Sequence, residues 1–406
     1  MRILYLAQFF EPEPMLKGVS FVRGLIEAGH EVEVVTGFPN YPLGRLYDGY
    51  RLAMHKKEVV EGVTIHRIPL YPSHGKSSLG RVLNYFSFVV SASIYGVFAA
   101  SKFDVIYSYP PPTVGLAAAL IGKIRRRPFV LDIQDLWPES VQKSGMTGTN
   151  KMGGILSGLC NFIYRRATRV IAQSKGIATS LIDRGVPADK VDIIFNWADE
   201  DAARPSGTCD LYDYGFDGGF NIVYGGNLGV MQGLSTMINA AHIAAKKVPN
   251  LRLLLIGDGS ERDRLVALRD KLGADNVRIA PGIPRCKIGD VFAAADVLAI
   301  HLVDDPLFEI TIPQKTQFYL AVGKPVLCGV KGEAADYLIE SKAGLAVAPE
   351  DVEGMAEAMV EFAHMSQTQL EEMATSARAA YASHFSFSIA IKATSKTLEA
   401  AVAARR

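Results

Sequence analysis

The sequence is poor in cysteine and carries almost no net charge. Its four cysteines are Cys160, Cys209, Cys286 and Cys328. They form no Cys-x-x-Cys pair and have no clustered histidines, which argues against a zinc site and indicates reduced thiols in a cytoplasmic protein. The 43 basic residues are balanced by 42 acidic ones, so the chain lacks the positive potential expected of a protein that binds nucleic acid.

Long hydrophobic runs are also scarce. The first ten residues, MRILYLAQFF, are followed by acidic, proline-rich EPEP instead of the small residues of a signal cleavage site. We therefore predict that residues 2–7 form a buried first strand.

One uncharged stretch, between Arg81 and Lys102, approaches the length that spans a bilayer. Within it Asn84, Ser87 and Ser91 recur at helical spacing on one face. This pattern favours a helix that packs on a sheet or lies in a membrane interface over a helix that spans the membrane.

A chain of 406 residues with 49% hydrophobic and 21% charged residues predicts two globular domains. Apolar strand segments alternate with helical segments in both halves, which indicates an α/β fold of two Rossmann-like, doubly wound parallel-sheet domains facing a central cleft. The composition changes between Asp199 and Gly219. We accordingly predict a first domain over residues 1–200 and a second over 201–385, with a last helix at about 386–406 packing back on the first.

The loop GGNLGVMQG, Gly225–Gly233, follows the strand NIVY and precedes a helix. Glycines let the backbone approach an anionic group closely, and a helix amino terminus favours negative charge, so the loop suits a diphosphate. The alternative is a tight strand-to-helix turn without a ligand. Neither this loop nor GDGSER at Gly257 matches the GxGxxG pattern of NAD-dependent dehydrogenases.

A second group of polar residues lies between His301 and Val330. Lys315 comes two residues after Pro313, in the first turn of a predicted helix, where it and the helix terminus can neutralise a phosphate. A plain surface lysine is the alternative. The adjacent Asp304 and Asp305 are a weak signal for a metal, and we expect none.

The first half contains VLDIQDLWPES directly after a strand. Its carboxylates accept hydrogen bonds from sugar hydroxyls and its indole stacks on sugar CH groups, so the segment suits a polyhydroxylated substrate. Alternatively, Trp137 and Pro138 pack structurally and Asp135 caps a helix. The loop Phe38–Arg51 has the tyrosine, proline and glycine content expected of a lid over an acceptor.

Several of these segments together resemble a known family. VVTGFPNYP, DIQDLWPES, IFNWADE, GGNLGVMQGL and DDPLFEITIPQKTQFYLAVGKPVL are similar to the retaining nucleotide-sugar glycosyltransferases of family 4, which have the GT-B fold. The resemblance covers essentially the whole chain. It is strongest to the bacterial branch of L-fucosamine and colanic-acid fucose transferases.

The resemblance implies a nucleotide-diphosphate sugar held by the second domain, an acceptor held by the first, and no metal or other cofactor. The catalytic residues would be Asp135, Gln134 and Lys315. The donor would be bound by Gly226, Asn227, Gly257, Gly282, Ile283, Arg285, Glu309, Thr311, Thr316 and Gln317. The acceptor would be bound by Lys17, Gly18, Tyr41, Asp132, Trp137 and Glu139.

Three positions depart from the family pattern. Many members have a ribose-binding Glu where this chain has Phe318, and an Arg and a Lys where it has Asn227 and Gln232. Glu309 or Gln317 is the candidate replacement for the ribose contact. The expected substrates remain a UDP-sugar, carrying an N-acetylated or 6-deoxy hexose, and a polyprenyl-diphosphate-linked saccharide of a bacterial surface polysaccharide.

The expected location is peripheral, at the cytoplasmic face of the inner membrane, since the uncharged segment and Arg125–Arg127 form a basic and apolar surface that suits anionic lipid. A solvated helix end is the alternative for these arginines. Two other functions also fit the sequence: a GT-B epimerase of nucleotide sugars, and a non-catalytic protein that binds a nucleotide sugar.

Overall fold

The computed structural model describes residues 1–74, 78–137, 139, 150–207, 209–214 and 218–405. It divides into two compact units, one of Met1–Ile194 with Ala390–Arg406 and the other of Phe195–Ile389. Of the segment VLDIQDLWPES, Pro138 and Ser140 lie outside the described residues.

The first unit is built on an eight-stranded sheet with the order β3-β4-β2-β1-β5-β6-β7-β8. Its strands are β1 (Arg2–Leu6), β2 (Glu31–Gly37), β3 (Lys56–Val60), β4 (Val63–Ile68), β5 (Val105–Ser108), β6 (Phe129–Ile133), β7 (Arg169–Ala172) and β8 (Val191–Ile193). Its helices include α1 (Val19–Glu27), α2 (Ser78–Phe98), α3 (Val114–Arg125), α4 (Asn150–Arg166) and α5 (Lys175–Asp183). The central strands β5 and β6 are buried along their whole length, as expected of parallel strands covered on both faces.

The predicted parallel sheet is mixed in this unit, because β3 pairs antiparallel with β4. Strand β3 was not predicted from the sequence. Its residues, KKEVV, lie at the sheet edge and are mostly exposed, so they lack the apolar run by which the buried strands are recognised. Charged residues on an edge strand also hinder pairing with another chain.

The second unit has a six-stranded, fully parallel sheet with the order β11-β10-β9-β12-β13-β14. Its strands are β9 (Phe220–Gly225), β10 (Leu251–Ile256), β11 (Val277–Ala280), β12 (Val297–His301), β13 (Val326–Gly329) and β14 (Gly344–Ala346). Its helices include α6 (Glu200–Ala203), α7 (Ser235–Ala244), α8 (Arg262–Leu272), α9 (Ile288–Ala294), α10 (Pro306–Glu309), α11 (Gln314–Val322), α12 (Glu333–Glu340), α13 (Val352–His364) and α14 (Gln367–Ala380).

The boundary between the units falls after Ile194, whereas the sequence analysis placed it after residue 200. The intervening residues pack within the second unit: the Trp197 ring lies 5.2 Å from the Phe387 ring, and the Ala198 amide donates to the Tyr381 hydroxyl at 3.2 Å. The last helix is α15 (Phe387–Ala403), and its residues from Ala390 onward belong to the first unit.

Helix α2 places its polar face inward. The Asn84 side chain accepts from Gln8 at 2.6 Å and donates to the carbonyl of Tyr71 at 2.7 Å, and it is fully buried. Ser91 donates to the carbonyl of Pro69 at 2.5 Å. The uncharged segment is therefore a helix that packs on the sheet of the first unit.

The opposite face of α2 is apolar and exposed. Phe98 and Leu79 are 82% and 68% exposed. The other exposed apolar side chains on this helix are Val82, Leu83, Phe86, Val90 and Ile94. Among the described residues, Leu79–Phe98 is also the one helix that is long and apolar enough to cross a membrane by length and composition, with 33% of the window buried.

Candidate active site

Glycines form the loops that follow two neighbouring strands of the second sheet. Because β9 and β10 are parallel, Gly226 and Gly257 lie at the same carboxyl edge. Gly226 has a φ of +138° and Gly257 a φ of +153°. A Cβ on Gly257 would lie 1.8 Å from the Gly226 carbonyl oxygen. The two loops therefore need glycine to pack, and Gly226 remains exposed at the surface.

Lys315 lies beside this loop, in the first turn of α11. Its Nζ is 4.9 Å from the centre of the Tyr224 ring, and a Cβ on Gly226 would meet Nζ at 2.7 Å. Burial alone lowers the lysine pKa to about 8, and no carboxylate in the described part of the chain compensates it. A desolvated cation without an anionic partner, beside an exposed glycine backbone, is suited to bind an anion.

The next residues of α11 face the core. Thr316 and Gln317 are 0% and 1% exposed, and the Gln317 amide, correctly oriented, donates to the Pro313 carbonyl at 2.7 Å. Phe318 packs edge-on against Phe292. Thr316 and Gln317, which were predicted to contact the donor, are instead buried, because the helical rotation that leaves Lys315 half-buried beside the loop turns the two following residues inward.

The other predicted donor residues of this edge lie before α11. Glu309 is exposed at the end of α10, so it remains the candidate for the ribose. The Thr311 hydroxyl donates to the Leu307 carbonyl at 3.2 Å, which leaves its oxygen lone pairs for a ligand. Of the two neighbouring aspartates, Asp304 pairs with Lys331 at 2.6 Å and Asp305 caps α10. These contacts give both carboxylates structural partners.

A third loop at this edge follows β11. Gly282 is exposed and Ile283 half-buried, while Arg285 is 77% exposed and pairs with Asp199 at 2.7 Å. An exposed ion pair contributes at most about 1 kcal/mol. The Arg285 guanidinium can therefore leave Asp199 for another anion at little cost.

Hydrogen bonds hold the rest of the glycine loop. The Asn227 amide donates to Gln232 Oε1 at 3.1 Å, and the amide of Gly229 donates to the same oxygen. Buried His301 accepts from the Glu350 amide through Nε2, so its Nδ1 carries the proton and donates to the Gln232 carbonyl at 2.8 Å. Asn227 and Gln232, which replace charged residues of the family pattern, thus fix the loop to each other.

The carboxyl edge of the first sheet contains a buried ion pair. The Lys17 ammonium contacts Asp132, and both side chains have no solvent exposure. The Tyr107 hydroxyl donates to the same carboxylate oxygen, and the Tyr5 hydroxyl donates to the Lys17 carbonyl at 2.5 Å. Lys17 and Asp132 were predicted to bind the acceptor. In this structure they are inaccessible and satisfy each other, so that prediction is corrected to a positioning role.

Two predicted catalytic residues, Gln134 and Asp135, directly follow β6 at this edge. The Gln134 amide donates to Asp132 at 2.6 Å, so the buried pair fixes its orientation. Asp135 is exposed, and the surrounding protein desolvates its carboxylate enough to raise the pKa. Asp135 is therefore an exposed carboxylate at this edge, and desolvation favours its protonated form relative to an ordinary aspartate.

The remaining residues of the predicted acceptor segment are engaged in packing. Trp137 is 9% exposed and its ring packs edge-on against Tyr85. Arg184 donates to the Trp137 carbonyl at 2.7 Å and to the Glu139 carboxylate at 2.5 Å. The structure thus supports the packing alternative for Trp137, and it gives Glu139 an arginine partner instead of a free carboxylate.

Carboxylates also hold the loops predicted for Gly18 and Tyr41. Glu11 accepts from the Val19 amide at 2.7 Å, and a Cβ on Gly18 would lie 1.9 Å from the same Glu11 oxygen. Glu13 accepts from the Tyr41 amide at 2.7 Å. Gly18 is thus covered by Glu11, whereas the Tyr41 ring remains half-buried at the edge.

Two tyrosines that were not predicted from the sequence complete these sites. Tyr107 shares the Asp132 carboxylate, and Tyr224 supports the Lys315 ammonium and donates to the Asn227 carbonyl at 2.7 Å. Each lies near the end of a buried strand, at the edge where parallel sheets bind ligands. That position was the available signal, but the segments that contain these tyrosines were interpreted only as strands.

Family models match both units of the chain. A glycosyl transferase 4-like domain matches residues 19–197. A glycosyl transferases group 1 domain matches residues 215–380. Together they cover both sheets except β1, and the carboxyl-edge loops described above except the residues before Val19.

Two curated relatives are similar to the chain. The "Putative colanic acid biosynthesis glycosyl transferase WcaI" of Escherichia coli (strain K12) is 29% identical over 388 residues, which covers 87% of this chain and 90% of the relative. The "Probable glycosyltransferase WbjE" of Pseudomonas aeruginosa is 24% identical over 60% of this chain and 61% of the relative.

Solved structures agree with the fold. Anabaena HepE in complex with UDP has a TM-score of 0.71 at 18% identity and covers 98% of this chain and 100% of its own. The Escherichia coli trehalose-6-phosphate structure bound with UDP-2-fluoro glucose has a TM-score of 0.72 at 13% identity, with 98% and 99% covered. Two parallel-sheet units of this kind define the GT-B class of fold. The chain belongs to the GT-B glycosyltransferases, with a family 4-like first domain and a group 1 second domain.

Proposed function

We propose that this protein is a retaining glycosyltransferase that moves a sugar from a UDP-sugar to a polyprenyl-diphosphate-linked saccharide. The sugar is an N-acetylated or 6-deoxy hexose, and the product is part of a bacterial surface polysaccharide. The 29% identical relative, which is named for colanic acid biosynthesis, and the UDP bound to the Anabaena neighbour support this proposal.

The observation that carries the proposal is the uncompensated charge of Lys315 beside the Gly226 backbone. During transfer the bond between the anomeric carbon and the diphosphate breaks, so negative charge grows on the departing diphosphate while the sugar becomes oxocarbenium-like. A preformed cation that needs no rearrangement stabilises this charge most effectively. Deletion of one such donor typically costs about 3 kcal/mol of transition-state stabilisation.

The transfer proceeds without a metal ion in this proposal. The acceptor hydroxyl attacks from the side that the diphosphate leaves, forms the new glycosidic bond and passes its proton to the leaving phosphate. Asp135 orients the acceptor hydroxyl through its exposed carboxylate, and Gln134 is held in place by Asp132. No strong protein base is then required.

The test is to incubate the protein with a panel of nucleotide sugars and polyprenyl-diphosphate-linked saccharides, with and without EDTA, and to determine the products by mass. We expect a lengthened saccharide and free UDP, unaffected by EDTA. An isomerised nucleotide sugar without acceptor would indicate an epimerase. Binding without any product would indicate a sensor, and loss of activity with EDTA would contradict the metal-free mechanism.

A matched pair of lysine variants assigns the activity to the site. Lys315→Ala is expected to lower turnover by about 100-fold. Lys324 is a suitable control because burial also lowers its pKa, while Asp296 lies near it. It precedes β13, at the amino edge of the same sheet, so Lys324→Ala should retain turnover. Equal losses in both variants would contradict the assignment of Lys315.

The lipid-linked acceptor places the protein at the cytoplasmic face of the inner membrane in this proposal. The exposed apolar face of α2 supports that location, because apolar side chains on one face of a helix partition into the membrane interface. We expect the protein to co-sediment with vesicles made from bacterial lipids. Full recovery in the supernatant would contradict the peripheral location.

A further inference from the structure

A cavity of about 480 Å³ lies in the first unit, away from the carboxyl edge of the sheet. Its wall includes Phe129, the first residue of β6, and Thr168, just before β7. It therefore opens at the amino edge, opposite to the loops of Asp132 and Asp135. Neither the donor nor the acceptor of the proposed transfer uses it.

Four cations and no acidic residue line this cavity. They are Lys123, Arg127, Arg166 and Arg405. All four are exposed, and none takes part in the ion pairs of the described residues. The cavity thus differs from an ordinary surface cluster, in which basic and acidic side chains alternate.

The ends of three helices meet here. Lys123 is in the last turn of α3, Arg166 is in the last turn of α4, and Arg405 follows α15. Each helix carboxyl terminus contributes roughly half a negative charge, which explains why cations collect at such ends. The summed negative charge of the three helix ends is smaller than the positive charge of the four side chains, so the cavity has a net attraction for an anion.

Apolar side chains occupy the same wall. Leu120 is 45% exposed and Phe162 is 50% exposed, and the Arg166 guanidinium lies over the Phe162 ring at 5.6 Å. A soluble phosphate would leave these apolar groups in water. A phospholipid covers them with its acyl chains while its phosphodiester meets the cations.

Helix α3 links the cavity to the apolar face of α2. The two helices pack together, and α3 also exposes Ile124, which is 53% accessible. We propose that this cavity binds the phosphodiester headgroup of an anionic phospholipid, held by Lys123, Arg127, Arg166 and Arg405. The proposal deepens the membrane contact of the proposed function and is independent of the transfer reaction.

The test uses the full chain and two kinds of vesicle, phosphatidylcholine alone and phosphatidylcholine with phosphatidylglycerol. Each cation near an anionic surface contributes a factor of about five in partitioning. The double variant Arg127→Gln/Arg166→Gln should therefore sediment about 25-fold more weakly with the anionic vesicles. Both side chains are exposed, so its thermal unfolding and its UDP binding should match those of the unchanged protein.

The control is Lys392→Gln/Lys396→Gln, which removes the same charge from exposed positions of α15 that do not line the cavity. It should change anionic vesicle binding less than about twofold. An equal loss in both double variants would show that net charge acts instead of the cavity and would overturn the proposal. So would equal binding to both kinds of vesicle.

A soluble ligand is distinguished by titration with glycerol 3-phosphate. We expect the unchanged protein and the double variant Arg127→Gln/Arg166→Gln to show no difference in glycerol 3-phosphate binding. Cavity-dependent binding of the soluble ester, without a preference for anionic vesicles, would overturn the assignment to lipid. If UDP binding and transfer fail in every variant and in the unchanged protein, the proposed function fails while the vesicle result still decides the cavity.

Discussion

Each of the two units buries a lysine side chain, but only one of the two lysines has a carboxylate partner. In the first unit Lys17 has no exposure and contacts the equally buried Asp132. In the second unit the largely buried Lys315 has no carboxylate partner in the described part of the chain. The two lysines lie at the carboxyl edges of similar sheets, so the difference is in their partners.

This difference separates a structural charge from a functional one. A buried pair has its attraction satisfied within the fold, and a ligand gains little by approaching it. A desolvated, unpaired cation destabilises the free protein and is relieved when an anion binds. In the proposed function the diphosphate accordingly binds at Lys315 in the second unit, while the buried pair of the first unit positions Gln134.

Breaking the buried pair should give the largest effect. Asp132→Asn leaves the Lys17 ammonium buried without a counter-charge and is expected to lower the free energy of unfolding by about 3–5 kcal/mol. Urea unfolding followed by circular dichroism measures it. The double variant Lys17→Met/Asp132→Asn should recover much of the loss. Unchanged stability of Asp132→Asn would contradict the description of this pair as structural.

Removing the unpaired Lys315 should weaken ligand binding and leave the stability of the fold unchanged. Lys315→Ala is expected to weaken UDP binding by about 1.5–3 kcal/mol, the usual contribution of a hydrogen bond to a charged group, without lowering the free energy of unfolding. Isothermal titration calorimetry gives the affinity. The Lys324→Ala control should keep the affinity and lose stability, because it strands Asp296. UDP affinity that is the same for Lys315→Ala and the unchanged protein would remove the contrast between the two units.

A substitution that crowds the Lys315 side chain without removing it tests the difference between the two units further. Gly226→Ala places a Cβ 2.7 Å from Lys315 Nζ and forces alanine to a φ of +138°, which costs about 1–3 kcal/mol. Both stability and UDP affinity should fall. A Cβ on Gly282, at the same edge, would meet nothing within 4 Å, so Gly282→Ala should leave the melting temperature unchanged. The account would be weakened if both variants melted alike.

The pH dependence of UDP binding should show the smallest effect. Lys315 has a pKa of about 8 in the folded protein and about 10.4 when unfolded. Affinity should fall above pH 8, by at most about tenfold per pH unit, as the charge is lost. Lys315→Arg should flatten this fall because the guanidinium stays charged.

The same pKa has a linked effect on stability. Between pH 8 and about 10.4 the unfolded chain binds the proton more tightly, so the unchanged protein should gain stability relative to Lys315→Met as the pH rises. Urea unfolding of the two proteins at pH 7.5 and pH 9.5 tests this sign. A stability difference that stays constant or moves the other way would show that Lys315 is not desolvated.

Most of the fold was predictable because it depends on local patterns. The buried strands are apolar runs, and the glycine loop after β9 is a local sequence feature, so both were recognised. Strand β3 was missed because exposed, charged KKEVV lacks such a pattern. The GT-B fold itself is confirmed by the family models and by the solved structures.

The site was less predictable because it depends on distant partners and on helix phase. Asp132 meets Lys17 across 115 positions of sequence, and no spacing rule reveals that contact. Gln317 lies two residues after Lys315, and only the packing of α11 decides that Gln317 faces the core while Lys315 stays half-buried beside the glycine loop. Likewise, Arg184, at the carboxyl end of α5, forms an ion pair with Glu139. The residue types indicated the chemistry of the site, but tertiary contacts determined which of these residues remain accessible to a ligand.

The most direct test is to measure the pKa of the Lys315 ammonium by nuclear magnetic resonance, with and without UDP. Dimethylation with a carbon-13 label and the Lys315→Arg variant identify its signal. The account predicts a pKa of about 8 in the free protein, rising by at least about one unit when the diphosphate binds. An ordinary lysine pKa in the free protein, or a pKa that UDP leaves unchanged, would contradict the claim that this charge is held for the anion.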